Sequence, residues 1–381
     1  MRLIDFNNTE EKRIFDEKLF QDPHSFVQQT TMWAENVCPI SSDVPVFVYK
    51  ESDHYYISAS LYLYQSSFGN ILVSNVQAGS LGCFTFIGDK EKTDFAYQSI
   101  INDIIDFAKK NNCISVTVTS NPYSHDDLYI YKALQPQTGM KTFISILNIE
   151  KYFTEDGHSL FMDLNSKKRS GIKRNIKKAY KSEFNFHVCS LKENFDWWYE
   201  NIHTKRTKEL HGEPLPKCLF DNIMNNKFFE PFYKFFYVTK KNNIVAGDFC
   251  IFSPNGNFDN FMMSADSGYF KEGINYYLVD NILKWCFQNN IKIYNWQSSN
   301  PPDGGIFNFK RQWGSKVLPY QYITKILNVN ALKALQQSYS FEDIMQNFKG
   351  HFFVPYHTLK ANIYDFLDKT EINRLANIYQ K

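Results

Sequence analysis

Hydrophobic periodicity divides the first half of the chain into two strands, a helix and a third strand. Residues 46–50 and 55–64 are rich in β-branched and aromatic residues, which predicts two strands joined by a hairpin turn. Apolar residues recur at helical spacing through residues 94–110, and residues 114–119 form a short apolar run typical of a buried strand. This order predicts one α/β unit.

The same order of elements recurs in the second half of the chain. The predicted elements are strands at residues 232–239, 244–252, 257–265 and 291–296 and a helix at residues 274–288. The repetition predicts an α/β (mixed α+β) fold with two tandem domains, residues 1–155 and 156–381. Each domain is expected to have a mixed, mostly antiparallel sheet flanked by helices. A helical tail over residues 331–381 is expected to cover the second domain.

Composition and charge narrow the classes of function. The chain has 381 residues, and 43% hydrophobic residues suffice for two cores. With 42 Lys and Arg against 40 Asp and Glu, no global field favours DNA or general RNA binding, so any electrostatic function must be local. The seven cysteines form no CxxC pair, which predicts no metal site and a reducing cytoplasm. No apolar run is long enough to predict a membrane span.

A basic segment lies between the two predicted units. Residues 167–181 contain eight basic residues and no acidic one, and helical spacing over residues 166–182 places Lys173, Arg174 and Lys177 opposite an apolar stripe. Fixed cations on one helix face can neutralise the phosphates of a nucleotide, a pyrophosphate or an RNA backbone. The same pattern is also typical of a solvated helix face.

The segment 296–314 combines glycines, aromatic residues and cations directly after a predicted buried strand. Lys310 is the strongest single candidate, because a cation at a strand end can meet negative charge that develops on a carbonyl or phosphate oxygen. The alternative is an ordinary surface lysine in a turn. Phe309 and Trp313 can anchor the segment in the core, and Gln297 follows the strand at a position from which it could orient an amine.

Two further residues are candidates for the same site. Asp266 ends a predicted strand, where a carboxylate can orient an amine or act as a general base, and where it can equally cap a helix. Arg206 lies in a segment that breaks a helix before a Gly/Pro turn, so it is either a pocket residue or part of a simple connection. The chain has no GxxxxGK[ST], strand-coupled GxGxxG, HExxH or GxSxG motif, so nucleotide hydrolysis, zinc hydrolysis and serine-nucleophile chemistry are not indicated.

Three segments in order along the chain resemble the FemAB-like branch of the GNAT acyltransferase superfamily. Residues 174–179 (RNIKKA) resemble its basic helix, and residues 211–216 (HGEPLP) followed by Phe220 resemble its Gly-x-Pro turn before an aromatic helix. Residues 305–310 (GIFNFK) with Gly314 resemble its terminal Phe-Lys and glycine signature. The resemblance implies tandem GNAT-type domains and transfer of an acyl or aminoacyl group to an amine.

The resemblance also implies the partners, and the chemistry of acyl transfer suggests roles for the candidate residues. The acceptor would be a small or nucleotide-linked cell-envelope precursor, and acyl-CoA or aminoacyl-tRNA would be the co-substrate, with no tightly bound cofactor. Lys310 would stabilise the oxyanion, and Asp266 or Gln297 would orient the amine. The remaining substrate-binding candidates are Lys173, Arg174, Lys177, Arg206 and Phe309.

One departure from the superfamily concerns the acyl donor. The basic residue and Gly-x-Gly or Gly-x-Ala that hold a CoA pyrophosphate are replaced, before the helix at residue 274, by Lys271-Glu272-Gly273. Two alternatives to a FemAB-like transferase therefore stay open: an acyl-CoA-dependent N-acetyltransferase acting on a small amine or sugar, and a non-catalytic ligand-binding protein on the same fold.

Overall fold

The computed structural model describes residues 1–74, 76, 81–153, 166–189, 191–298, 305–348 and 350–351. The strands are β1 (Arg2–Leu3), β2 (Val44–Glu51), β3 (Tyr55–Tyr64), β4 (Asn70–Val73), β5 (Phe84–Gly88), β6 (Cys113–Thr119), β7 (Thr138–Asn148), β8 (Asn185–Cys189), β9 (Tyr233–Lys240), β10 (Asn243–Phe252), β11 (Asn257–Ala265), β12 (Ile293–Ser298) and β13 (Lys316–Ile326). The helices are α1 (Thr9–Leu19), α2 (Thr31–Ser41), α3 (Thr93–Lys110), α4 (Asp127–Leu134), α5 (Ser166–Ala179), α6 (Lys192–Trp198), α7 (Thr204–Glu209), α8 (Lys217–Asn225), α9 (Ile274–Gln288), α10 (Gly305–Gln312), α11 (Val329–Ser338) and α12 (Phe341–Asn347).

The chain forms two compact units whose boundaries lie inside strands. The first unit comprises Met1–Thr142 and the described residues from Pro319 onward, and the second comprises Phe143–Leu318. These boundaries fall within β7 and β13. The units therefore differ from the predicted domains of residues 1–155 and 156–381, because the chain returns to the first unit after completing the second.

The first unit is built on a mixed sheet. Its strands lie in the order β1-β2-β3-β4-β6-β13, and β5 also pairs with β3. The pairs are antiparallel except for β4 and β6, which run parallel. Helix α3 packs against β3 and β6, and its Ile100 and Ile104 belong to the same buried cluster as Ile57 and Val116. The apolar residues whose helical spacing predicts α3 from the sequence therefore form its buried face.

The described part of the C-terminal tail packs on the first unit. Tyr339 stacks on Phe68 with ring centroids 4.0 Å apart, and the buried His351 lies 2.9 Å from Asp43 through its Nε2 atom. The sequence predicts that the tail covers the second domain. These long-range contacts instead place its described residues on the first unit. Residues 352–381 of the predicted helical tail lie outside the described residues.

The second unit has the strand order β7-β12-β11-β10-β9-β8. Strands β11 and β12 run parallel, while the remaining neighbours are antiparallel. Helices α5 and α9 pack on one face through residues such as Ile172, Ala179 and Leu278. On the other face, Phe195 and Phe220 contact Phe249 of β10. The basic helix predicted at residues 166–182 is present as α5, which ends at Ala179, and it buries Ile172 and Ala179 of the predicted apolar stripe while Tyr180 is exposed.

A further expectation from the sequence concerns membrane-spanning helices. Across the described ranges, no helix combines the length and the apolar character needed to cross a membrane.

Candidate active site

The strongest candidate site lies where the parallel strands β11 and β12 separate. Their residues pair from Asn257 with Ile293 to Asp259 with Asn295. Beyond that point β11 continues to Ala265, whereas β12 pairs through Ser298 with Ile144 of β7. Ligands commonly bind at the carboxyl ends of parallel strands, where diverging backbones leave an opening. Candidate residues that follow β11 and β12 therefore reach the same edge of the sheet.

Lys310 reaches this edge from helix α10, and its ammonium group is buried. The Nζ atom donates to the main-chain oxygens of Trp296 at 2.6 Å, Gln297 at 3.1 Å and Ser298 at 3.2 Å. A protonated lysine has three hydrogens, so the carbonyls use all of them. Burial lowers the pKa of Lys310 to about 7, while the three carbonyl dipoles favour the charged form.

The sequence predicts Lys310 at a strand end, whereas residues 305–312 form the helix α10. The lysine side chain extends from this helix to the main chain of β12. The side chain is 7% exposed, so the alternative of an ordinary surface lysine is wrong.

Aromatic side chains hold α10 against β12. The Trp313 ring lies 6.2 Å from that of Trp296 and 6.1 Å from that of Phe309, and Tyr276 of α9 contacts both Phe309 and Trp313. Trp313 is 1% exposed. Phe309 and Trp313 therefore act as the core anchors predicted from the sequence, and Phe309 is half-buried beside the lysine.

Gln297, whose main-chain oxygen accepts a hydrogen bond from Lys310, has an unusual backbone conformation. Its φ angle is +62°, in the left-handed region that non-glycine residues rarely adopt. Its backbone N–H donates to Oδ1 of Asn295 at 2.9 Å, while Asn295 Nδ2 donates to Oδ1 of Asp259 at 2.7 Å. Sequence reasoning missed Asn295 and Asp259. The available signal was the presence of amide and carboxylate side chains inside strands, where both are depleted.

Arg206 and Asp266 line a second cleft, beside the end of β11. Asn201, Lys205 and Glu209 also line it. Arg206 pairs with Glu209 at 2.9 Å, and its guanidinium lies 5.3 Å from the Phe270 ring centre. Asp266 Oδ1 accepts a hydrogen bond from the Gly268 N–H at 2.9 Å and so caps the 3₁₀-helix Ser267–Glu272. The capping role considered for Asp266 is thus present.

A buried histidine lies next to this cleft. His203 ends the π-helical turn Tyr199–His203, and its Nδ1 atom lies 2.9 Å from the Ser264 hydroxyl. Single π-helical turns are often found at functional sites. Burial lowers the pKa of His203 to about 4, so the imidazole is neutral at pH 7.

We expect His203 to make stability depend on pH. The pKa of an unfolded histidine is about 6.5, so between about pH 6.5 and 4 the unfolded chain binds more protons than the folded one. The contribution of His203 is complete above pH 6.5 and decreases as the pH falls toward 4. Urea unfolding of His203→Asn should show a flatter pH dependence in this window, by up to about 1.4 kcal/mol per pH unit.

The control for this experiment is a histidine that is exposed in the fold. His125→Asn is the matched variant, because it removes an imidazole from an exposed position and should keep the slope of the wild type. Equal slopes for His203→Asn and the wild type would show that another group causes the loss of stability in acid.

The basic helix α5 contacts elements that carry candidate residues of both groups. It packs against α9, α10 and the 3₁₀-helix Ser267–Glu272. Arg174 and Lys177 are exposed and Lys173 is half-buried. The structure therefore brings Lys310, Gln297 and Phe309 together, and Arg206 and Asp266 together, with the cations of α5 on an adjacent helix.

The start of helix α9 is covered by α5. Gly273 precedes α9 with a φ angle of +88°, and a Cβ atom there would lie 2.9 Å from the Asn175 carbonyl oxygen. A helix N-terminus can bind a pyrophosphate when its N–H groups face an open site. Here the Asn175 carbonyl oxygen of α5 lies close to Gly273, so α5 packs against the residue that precedes this helix.

Two other findings concern acidic and metal-binding side chains. Asp248 lies within β10 as part of the core, where burial raises its pKa to about 8 and Asn260 donates to its Oδ2 atom. No cluster of three or more His, Cys, Asp or Glu side chains suited to a metal ion occurs among the described residues.

Comparison with known proteins defines the fold. No protein-family model and no curated protein sequence matches the chain. Among solved structures, the chain is similar to FemX, with a TM-score of 0.64 and 14% identity over 85% of this chain and 97% of that one. It is also similar to the C-terminal domain of a protein assigned as a lysylphosphatidylglycerol synthetase from Agrobacterium fabrum, with a TM-score of 0.52 and 11% identity over 85% and 94% of the two chains.

A third similar structure is a conserved protein of unknown function from Bacteroides thetaiotaomicron, with a TM-score of 0.54 and 12% identity over 84% of this chain and 98% of that one. The chain thus has the fold of FemX. The predicted mixed α/β class and the FemAB-like resemblance in fold are confirmed.

Proposed function

We propose that this protein is a FemAB-like N-acyltransferase that transfers an acyl or aminoacyl group to an amine. The observation that carries the proposal is the buried Lys310 ammonium at the opening between β11 and β12. A fixed cation in a water-poor site stabilises negative charge that develops on a carbonyl oxygen much better than an exposed one does.

The proposed reaction needs positioning and electrostatics more than covalent catalysis. The acceptor amine attacks the carbonyl carbon of the donor ester or thioester, a C–N bond forms, and the C–O or C–S bond breaks. The amine proton leaves with the departing hydroxyl or thiol. Lys310 would exchange one of its longer hydrogen bonds, to Gln297 or Ser298, for the oxyanion.

We further propose that the donor is an aminoacyl-tRNA. Two observations favour it over acyl-CoA: α5 exposes Arg174 and Lys177 beside the site, and it covers the start of α9 at Gly273. One similar structure is named for lysylphosphatidylglycerol, a product that carries an aminoacyl group. The acceptor would be a small or nucleotide-linked precursor of the cell envelope.

A ligand screen tests the donor, because a ligand that binds only the folded state raises its melting temperature. We expect bulk tRNA, which represents the proposed donor, to stabilise the protein, and CoA or acetyl-CoA not to do so. Stabilisation by a UDP-sugar would instead report on the nucleotide-linked acceptor. The variant Lys173→Ala/Arg174→Ala/Lys177→Ala should bind tRNA more weakly. Its plot of log affinity against log salt should be less steep by about 2 to 3, since three phosphate contacts are lost.

The matched control removes three exposed cations from the first unit. Lys90→Ala/Lys92→Ala/Lys110→Ala should leave the affinity and its salt dependence near wild type. A response to CoA alone would favour a plain N-acetyltransferase instead. Binding of a ligand without any transfer to amine acceptors would favour a non-catalytic binding protein.

A further inference from the structure

Two buried polar bridges join β11 to β12 at the point where the strands separate. Asn295 Nδ2 donates to Asp259 Oδ1 at 2.7 Å, and Asn260 Nδ2 donates to the Tyr294 hydroxyl at 2.6 Å. All four side chains are buried. Since neighbouring residues of a strand point to opposite faces, the two bridges lie on opposite sides of the sheet.

The two bridges differ in the further hydrogen bonds that their asparagine side chains make. The Asn260 side chain also donates to Asp248 and so ends in the core. The Asn295 side chain continues toward the site, because its Oδ1 atom accepts the Gln297 N–H at 2.9 Å. The Gln297 carbonyl in turn accepts from Lys310 Nζ at 3.1 Å. An unbroken path of hydrogen bonds thus runs from Asp259 to Lys310.

The chemistry of each member fixes the orientation of the next. The Asn295 NH₂ group donates to Asp259 Oδ1, so the amide oxygen of Asn295 points away from Asp259. That oxygen is then aimed at the Gln297 N–H. This hydrogen bond supports Gln297 at its φ angle of +62°, a strained conformation that persists only where the surrounding structure holds it in place.

We propose that Asp259 and Asn295 are positioning residues, which set the backbone of Gln297 so that its carbonyl, with those of Trp296 and Ser298, holds the Lys310 ammonium at the opening between β11 and β12. The proposal rests on the proposed function for the importance of Lys310. The arrangement itself can be tested without a substrate.

The test uses the rate at which acetic anhydride acetylates Lys310, followed by peptide mass spectrometry with Lys90 as the internal reference. Asn295→Asp places a second carboxylate against Asp259 and removes the donor, so we expect Lys310 to react about tenfold faster. Asp259→Asn keeps an oxygen for Asn295 and should stay near wild type. The exchange Asp259→Asn/Asn295→Asp restores a donor and an acceptor and should recover slow acetylation.

The matched control removes the hydrogen bond between Asn260 and Tyr294, one residue along each strand from the first bridge. Asn260→Ala should lower the unfolding midpoint yet leave Lys310 acetylation within about twofold of wild type, because this bridge does not reach Gln297. If Asn295→Asp does not fold, Asn295→Ser provides the same test, since a hydroxyl is too short to span both partners. Wild-type acetylation in the folded Asn295 variant, or equally fast acetylation in Asn260→Ala, would overturn the proposal.

An activity measurement separates this proposal from the proposed function. Once transfer is detected, Asn295→Asp should lower kcat more than it raises KM, and the exchanged pair should recover kcat. If the wild type transfers no acyl group to any amine, the proposed function fails, while the acetylation rates still decide whether Asp259 and Asn295 position Lys310.

Discussion

Replacing Lys310 with methionine is expected to lower the rate of acyl transfer by about 100- to 1,000-fold, the range typical for loss of one group that stabilises an oxyanion. Methionine keeps most of the length of the side chain and removes its charge. Because the ammonium is buried against three carbonyls, water does not replace it easily. The loss should appear mainly in kcat, measured with the donor that the ligand screen identifies.

The control for Lys310 is its neighbour in the sequence. Arg311→Met removes an equal charge from an exposed position on the same helix and should leave kcat near wild type. Thermal unfolding must accompany both variants, because Lys310→Met leaves three main-chain oxygens without their donor. A folded Lys310→Met protein that transfers acyl groups at the wild-type rate would exclude the proposed role of this lysine.

Truncating Trp313 is expected to produce the largest loss of stability among the site variants. Trp313→Ala should lower the free energy of unfolding by about 3–5 kcal/mol, the usual cost of removing a fully buried aromatic side chain. The indole packs against Trp296, Phe309 and Tyr276, so its removal leaves a cavity between α10, β12 and α9. Urea unfolding of the full chain measures the change.

Two variants make this stability measurement specific. Trp313→Phe keeps part of the packing and should cost less than Trp313→Ala. Trp197→Ala removes an indole that is 44% exposed and should cost about 1 kcal/mol or less. A loss for Trp313→Ala as small as that for Trp197→Ala would show that this residue does not anchor α10.

Local patterns predicted most of the regular structure of the second unit. The predicted strand at residues 257–265 and the helix at residues 274–288 have these same bounds in the structure. Both have clear strand or helix periodicity over their whole length. The sequence does not predict a helix at residues 305–310, because a short aromatic run after glycines has no decisive period. In the structure these residues form part of α10.

Composition and order along the chain predict a set of candidate residues whose roles stay predictions. Lys310 was singled out because a cation beside aromatic residues and glycines after a strand is unusual, and the structure buries it. Asn295 and Asp259 were not identified. An amide and a carboxylate inside strands become informative only when their partners across the sheet are known.

The sequence by itself determined the order of helices and strands, the apolar and basic faces of α5, and the resemblance that gives the fold, because these depend on residues close together in the chain. Only the tertiary structure decided that Lys310 is held by three carbonyls of β12, that α5 covers Gly273, and that the described tail rejoins the first unit. Those features depend on contacts between distant segments, and local periodicity does not encode the register in which such segments meet.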